Sequence, residues 1–224
     1  MAKKKEEKQV QQLKITPPRY GFIKVQVGNK GLGSSLIVHR VDEKTWKYLE
    51  ARGQNAAKSK TDSRAKRDAE KEFRDSMYYM PESKATDKNP KYGIPAAGFK
   101  KAMVRAAKPI EGLTMIDTQQ SIFVYDDDEG LVKLTCKDPR MRTDVVNIGN
   151  GAKKNPDLRY RGEFLEWSCK LNIRYDADFF TAEEVLNLLA RAGFAVGWGE
   201  MRPEKGYSHG QYEIQGTPTV TEPK

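Results

Sequence analysis

Ile23, Val25 and Val27 alternate with Lys24 and Gln26. A period of two with one apolar face predicts a strand over 22–27. Gly28-Asn29-Lys30-Gly31-Leu32-Gly33 breaks that pattern, and Ser35-Leu36-Ile37-Val38 resumes an apolar run. A short helix is predicted over 42–52, with Asp42 as its cap and Trp46 and Leu49 three positions apart. From Gln54 to Ala69 no large apolar residue occurs, while Lys58, Lys60, Arg64, Lys66 and Arg67 accumulate. The stretch 54–76 therefore reads as a solvated helix or a mobile insertion. A helix over 97–108 gathers Phe99, Ala102, Met103 and Ala106 on one face and Lys101, Arg105 and Lys108 on another.

Further along, Ser121–Tyr125 and Leu131–Cys136 read as the two strands of a hairpin around Asp126-Asp127-Asp128-Glu129-Gly130. The clearest strand runs from Leu165 to Tyr175. Leu165, Trp167, Cys169, Leu171, Ile173 and Tyr175 share one face, and Glu166, Ser168, Lys170, Asn172 and Arg174 the other. The clearest helix follows. A capping box of Thr181 and Glu184 opens it, Val185, Leu188, Leu189 and Ala192 stripe it, and Gly193 suits its C′ position. The whole reads as one α+β domain over 11–216 with a polar insertion at 54–90, between flexible tails at 1–10 and 217–224.

Charge narrows the function. Among 224 residues, 40 are Lys or Arg against 31 acids, a net charge of +9. Such a balance favours polyanionic partners. Hydrophobic residues at 38% suffice for a core, and charged residues at 32% keep much of the chain solvated. No run approaches the roughly 18 apolar residues of a membrane span. Met1 to Glu7 lacks the apolar stretch of a secretory signal, so a cytoplasmic protein with no membrane partner is expected. Cys136 and Cys169, with His39 and His209, show no zinc-ligand spacing. They are expected as reduced thiols, and no cofactor is expected. Neighbouring aspartates on an extended chain point in opposite directions, so Asp126 to Asp128 read as a solvated turn.

The segment from Gly193 to Ile214 is rich in glycine, including Gly197, Gly199, Gly206 and Gly210. Glycine lets a backbone approach a phosphate and point N–H groups at it. Arg202, Lys205 and His209 add positive or donor groups, and Trp198, Tyr207 and Tyr212 offer stacking faces. The third glycine of a dinucleotide loop is absent, and no Lys-Ser or Lys-Thr pair completes a phosphate loop.

Three segments resemble the RAMP superfamily, the ferredoxin-like backbone proteins of CRISPR effector complexes, and most of all its stand-alone phage and prophage relatives. Ile23 to His39, with Ser34-Ser35-Leu36-Ile37-Val38-His39-Arg40, is similar to the family's first strand and following apolar stretch. Ile94-Pro95-Ala96-Ala97-Gly98-Phe99-Lys100-Lys101-Ala102-Met103-Val104-Arg105 is similar to the family's turn and helix start, written I-P-G-S-S-x-K-G-A-x-R. Val196 to Tyr212 is similar to its late glycine-rich loop. Ala96-Ala97 replaces the family's serine pair, and Lys101 replaces its small residue. The resemblance implies a ferredoxin-like, RRM-like antiparallel sheet with helices on one face. It also implies sequence-independent binding of an RNA backbone and side-by-side assembly along the strand.

Three functions follow. The first is a non-catalytic binding protein for single-stranded RNA or DNA. Its contacts are Arg40, Lys100, Lys101, Arg105, Arg202 and Lys205, with the backbone of Gly197 and Gly199; Arg140, Arg142, Arg159 and Arg161 are secondary. The second is a RAMP-type endoribonuclease using His209, whereas His39 reads as a packed core or edge residue. The third is a phage assembly or inhibitor protein acting on a host complex, or a homo-oligomer coating nucleic acid.

Overall fold

The alternation at the start of the chain does form a strand. β1 (Tyr20–Gly28) buries Ile23, Val25 and Val27 and turns Tyr20, Phe22 and Lys24 outward. The protein is seen in a computed structural model that describes residues 16–41, 46, 47, 50, 67–148 and 155–221. After β1 come β2 (Leu36–Val38), α1 (Ala69–Asp75), β3 (Tyr78–Tyr79), β4 (Tyr92–Pro95) and α2 (Ala97–Ala107). Then follow α3 (Met115–Ser121), β5 (Ile122–Tyr125), β6 (Leu131–Cys136), β7 (Arg140–Ile148) and β8 (Asn155–Phe164). The chain ends on β9 (Trp167–Asp176), α4 (Ala182–Ala195) and β10 (Glu213–Thr221).

The fold is mixed α and β. A seven-stranded sheet runs β10-β1-β9-β6-β4-β3, with β5 also paired to β9. β1 pairs antiparallel with β9 along its whole length, from Tyr20 opposite Asp176 to Gly28 opposite Ser168. α2 buries Phe99, Ala102 and Met103, and α4 buries Val185, Leu188, Leu189 and Ala192, all in one core with the inward residues of β1 and β9. The helices therefore cover one face of the sheet. The capping box of Thr181 and Glu184 is present at the start of α4. Burying side chains such as Leu189 and Ile173 stabilises the stack by about 1.5–3 kcal/mol each. Among the described residues no helix is long and apolar enough to cross a membrane.

A second, three-stranded sheet runs β2-β8-β7. Its long ladder pairs Arg140 with Glu163 at one end and Ile148 with Asn155 at the other. α1 packs beside β8, and Arg67 ties the two through Asp157 at 2.6 Å.

Several expectations change. β5 and β6 do not form a hairpin with each other. They lie end to end along the same edge of β9, β5 on 172–175 and β6 on 167–169. The aspartates between them stitch a tight turn. Asp126 Oδ2 accepts from the Gly130 N–H and Asp127 Oδ2 from the Lys133 N–H. Leu165 is exposed, because it falls in the turn before β9. Gly193 lies inside α4, where a side chain would meet Tyr212, and Gly197 with φ 71° follows the helix instead. Residues 217–221, expected in a tail, form the outer part of β10, with Thr219 to Thr221 paired to β1. Of the expected insertion at 54–90, residues 67–90 hold α1 and β3 and bury Met77 and Met80 in the interior. Residues 1–10, 54–66 and 222–224 lie outside the described residues. So does most of the helix expected at 42–52, of which Trp46, Lys47 and Glu50 are helical.

Candidate nucleic-acid interface

α2 and the glycine-rich segment face each other across a cleft of about 490 Å³. Lys100, Lys101 and Arg105 line it from α2, and Gly197, Gly199 and Arg202 line it from the other side. The two walls meet where Trp198 packs on Gly98. A Cβ at Gly98 would overlap the Trp198 indole, so the missing side chain sets the approach of the segment to the helix. The segment is tied down from behind. Glu200 N–H donates to Ile37 O at 2.9 Å and Gly210 N–H to Ser35 O at 2.8 Å, which fixes it along β2. Gly199 takes φ 91° where a side chain would strike the Ile37 carbonyl.

The cleft is electropositive. Its cations are Lys100, Lys101, Arg105 and Arg202, and among the described residues Glu204 is the only carboxylate that lines it. Glu204 accepts from Arg202 at 2.7 Å and lies 3.1 Å from Arg105. Arg202 also donates to Gly199 O at 3.1 Å. Lys101 is exposed and has no ion pair among the described residues. Lys100 places its Nζ 3.9 Å from the centroid of the Phe123 ring. Its pKa is lowered by desolvation.

Two expected contacts fall elsewhere. Arg40 does not line the cleft; its N–H donates to Ser76 O at 2.8 Å, on the side of Tyr78 and Tyr79. Lys205 lies on the short helical turn Pro203–Lys205, also away from the lining. Gly197 acts differently from expectation too. Gly197 N–H donates to Ala192 O at 2.8 Å, so this amide closes the helix and the glycine contributes shape. Trp198 and Tyr212 are buried against Phe99, with ring centroids 6.3 and 5.4 Å away. They are core residues, while Tyr207 is exposed. The secondary arginines form ion pairs on the β7–β8 sheet. Arg140 and Arg142 hold Glu163 at 2.7 and 3.3 Å, Arg161 lies 3.4 Å from Asp144, and Arg159 lies 3.4 Å from Asp157.

His209 has partners that the linear sequence hides. It lines a separate cavity of about 420 Å³ with Ser35, Arg140, Arg142 and Glu163. Ser35 Oγ donates to Glu163 Oε1 at 2.6 Å and lies 2.9 Å from His209 Nδ1. Burial works against the Glu163 carboxylate, but hydrogen bonds from Arg140 and Ser35 hold its pKa below the usual range. A carboxylate cannot donate, and serine has one proton. His209 must therefore donate its Nδ1–H to Ser35, which leaves the lone pair on Nε2. Desolvation, then Arg142, lowers the His209 pKa and keeps the ring neutral at pH 7. Ser35 and Glu163 are 128 positions apart, so no local spacing announces the set.

His39 is half-buried at the end of the apolar run. Cys136 and Cys169 are free thiols; Cys169 is buried, and burial pushes the half-buried Cys136 up to about 11. No group of His, Cys, Asp or Glu able to hold a metal ion occurs among the described residues. Compared with known proteins, the chain matches no protein-family model and no curated protein sequence.

Proposed function

We propose that the chain is a non-catalytic protein that binds single-stranded nucleic acid, RNA being the expected strand, without regard to sequence. The observation that carries this reading is the convergence of Lys100, Lys101, Arg105 and Arg202 on one cleft, with Glu204 the single carboxylate lining it among the described residues. Cations held on a helix and on a pinned loop form a track for phosphates, and phosphate contacts need no base identity. The strand order β10-β1-β9, completed by β5 and β6, supports a ferredoxin-like core, because α2 and α4 sit in the two crossover intervals. That order agrees with the RAMP resemblance, from which we infer cytoplasmic binding to RNA and assembly of copies along the strand.

The test is filter binding with matched single-stranded RNA, single-stranded DNA and duplex at two salt concentrations. Log affinity for the single strands falls with log salt by about 0.7 per phosphate held. An affinity indifferent to salt rejects the reading. Sizing with and without a long oligonucleotide separates coating, which needs the strand, from self-assembly, which does not.

One observation favours a second reading, cleavage of RNA at the other cavity. The chain His209, Ser35, Glu163 presents a neutral imidazole with its lone pair fixed on Nε2, beside Arg140 and Arg142. A base of this kind takes the proton of a 2′-hydroxyl as that oxygen bonds to phosphorus and the P–O5′ bond breaks. The 5′-oxygen takes a proton from water, and the arginines steady the charge that develops on the phosphoryl oxygens. Wild-type protein that leaves RNA intact over long incubation removes this reading. Cleavage lost in His209→Ala with binding retained establishes it.

A further inference from the structure

The face of the sheet turned away from the helices is not a polar surface. Strand register sets Phe22, Arg174 and Phe123 in one row across β1, β9 and β5, and Lys24, Asn172 and Tyr125 in the next. Tyr20, Phe22, Phe123 and Tyr125 are 42%, 46%, 38% and 40% exposed. Aromatic rings so grouped on a surface mark a binding site more often than chance exposure does. Arg174 stands among them. Its guanidinium carbon lies 4.7 Å from the Tyr20 ring centroid, 5.5 Å from Tyr125 and 5.6 Å from Phe123. Its Nε has no hydrogen-bond partner, and no carboxylate pairs with it among the described residues.

The charge of this face identifies its occupant. Lys24 and Lys170 flank the aromatic rows, and the acids stand at the two ends of the face: Asp176, opposite Tyr20, accepts from the Asp178 N–H at 2.9 Å, and Glu213 lies opposite Gly28. A protein interface places lysine at its rim and excludes it from its centre. Here cations and rings alternate, as a strand of alternating phosphates and bases requires. The face also adjoins the cleft: Lys100 lines the cleft and covers the Phe123 ring at 3.9 Å.

We propose that the open sheet face around Arg174 is a base-stacking platform for the same single strand whose phosphates lie in the α2 cleft. Phe22 and Tyr125 offer rings to bases, the Arg174 plane stacks or reaches a phosphate, and Lys24 and Lys170 follow the backbone. This rests on the cleft reading and adds to it a requirement for bases.

The experiment measures affinity by fluorescence anisotropy for two oligonucleotides of one length, one carrying bases and one abasic. Phe22→Ala and Tyr125→Ala are used because neither side chain lines the cleft, and Phe22→Trp and Tyr125→Phe are the ring-keeping controls. Each alanine variant weakens binding of the base-bearing strand by about 5- to 100-fold, as expected for the loss of one stacked base. Its affinity for the abasic strand stays at the wild-type value, and the ring-keeping variants restore binding. The proposal is overturned if the alanine variants bind the base-bearing strand as wild type does, or lose affinity equally for both strands. It is also overturned if the ring-keeping variants fail to restore binding, or if the alanine variants shift the protein's own oligomeric state without nucleic acid. The double variant Lys101→Ala with Arg202→Ala separates the two claims. If it weakens both strands while the aromatic variants do nothing, only the platform fails. If it weakens neither while the aromatic variants weaken the base-bearing strand, the cleft reading fails and the platform stands.

Discussion

Glu204 holds Arg105 from across the cleft, with Oε1 3.1 Å from Arg105 Nε, while its other oxygen takes Arg202 at 2.7 Å. The carboxylate occupies the place an incoming phosphate oxygen would take. Removing its charge releases both guanidinium groups to a ligand. Glu204→Gln is expected to raise affinity for a single strand several-fold at low salt, with the gain vanishing as salt screens the site. Because Arg105 is more than half exposed, stability changes by less than about 1 kcal/mol. Anisotropy at two salt concentrations and a thermal melt check both halves.

Lys101 differs in that no carboxylate pairs with it among the described residues. Lys101→Ala lowers affinity and reduces the slope of log affinity against log salt by about 0.7, the signature of one lost phosphate contact. An unchanged slope would place Lys101 outside the path of the strand.

Gly98, within α2, is where the helix meets Trp198 of the glycine-rich segment. Alanine there gains up to about 1 kcal/mol of helix propensity. The added methyl meets the Trp198 ring, and such overpacking costs about 1–3 kcal/mol. The clash is the larger effect, so Gly98→Ala should lower the denaturation midpoint and weaken strand binding together. A midpoint at or above the wild-type value would show that Trp198 moves aside freely.

Asn29 fixes the turn between β1 and β2. Its Nδ2 donates to Ser34 O at 2.6 Å and Leu165 O at 2.7 Å, and its Oδ1 accepts from Trp167 N–H at 2.9 Å. Alanine leaves these buried groups unpaired, and the expected loss is about 1–3 kcal/mol in urea denaturation.

The His209 site predicts how stability depends on pH. The folded pKa of His209 lies below its ordinary value of 6.5, so the unfolded chain takes up the proton first. The stabilisation is complete above pH 6.5 and is lost as pH falls through the folded pKa. Glu163, also lowered, adds a second loss below 4.5 by the same sign. Denaturation of wild type and His209→Asn across this range should give curves that separate most above pH 6.5. A constant difference at all pH values would contradict the lowered pKa of His209.

Much of the fold was legible in the sequence. The alternation of Ile23, Val25 and Val27, the buried stripe of α4 and the capping box of Thr181 and Glu184 all appear as read. These features depend on neighbours within a turn of helix or a few strand positions, so local chemistry decides them. The cations of α2 were legible for the same reason, since Lys101 and Arg105 stack along one side of a helix.

Partnership was decided only in three dimensions. Trp198 and Tyr212 read as stacking faces in the sequence and are core, whereas Phe22 and Tyr125 read only as strand residues and are exposed. An aromatic residue reads the same in both settings; what packs over it comes from a distant part of the chain. The continuation of β10 through Thr221 depends on the edge that β1 offers, and the Ser35–Glu163 contact depends on β2 docking beside β8. Sequence determined the elements with a strong local pattern, β1, β9, α2 and α4, and how charge is spread along them. Tertiary structure decided which charges meet and which rings reach water, because long-range packing chooses each element's neighbours.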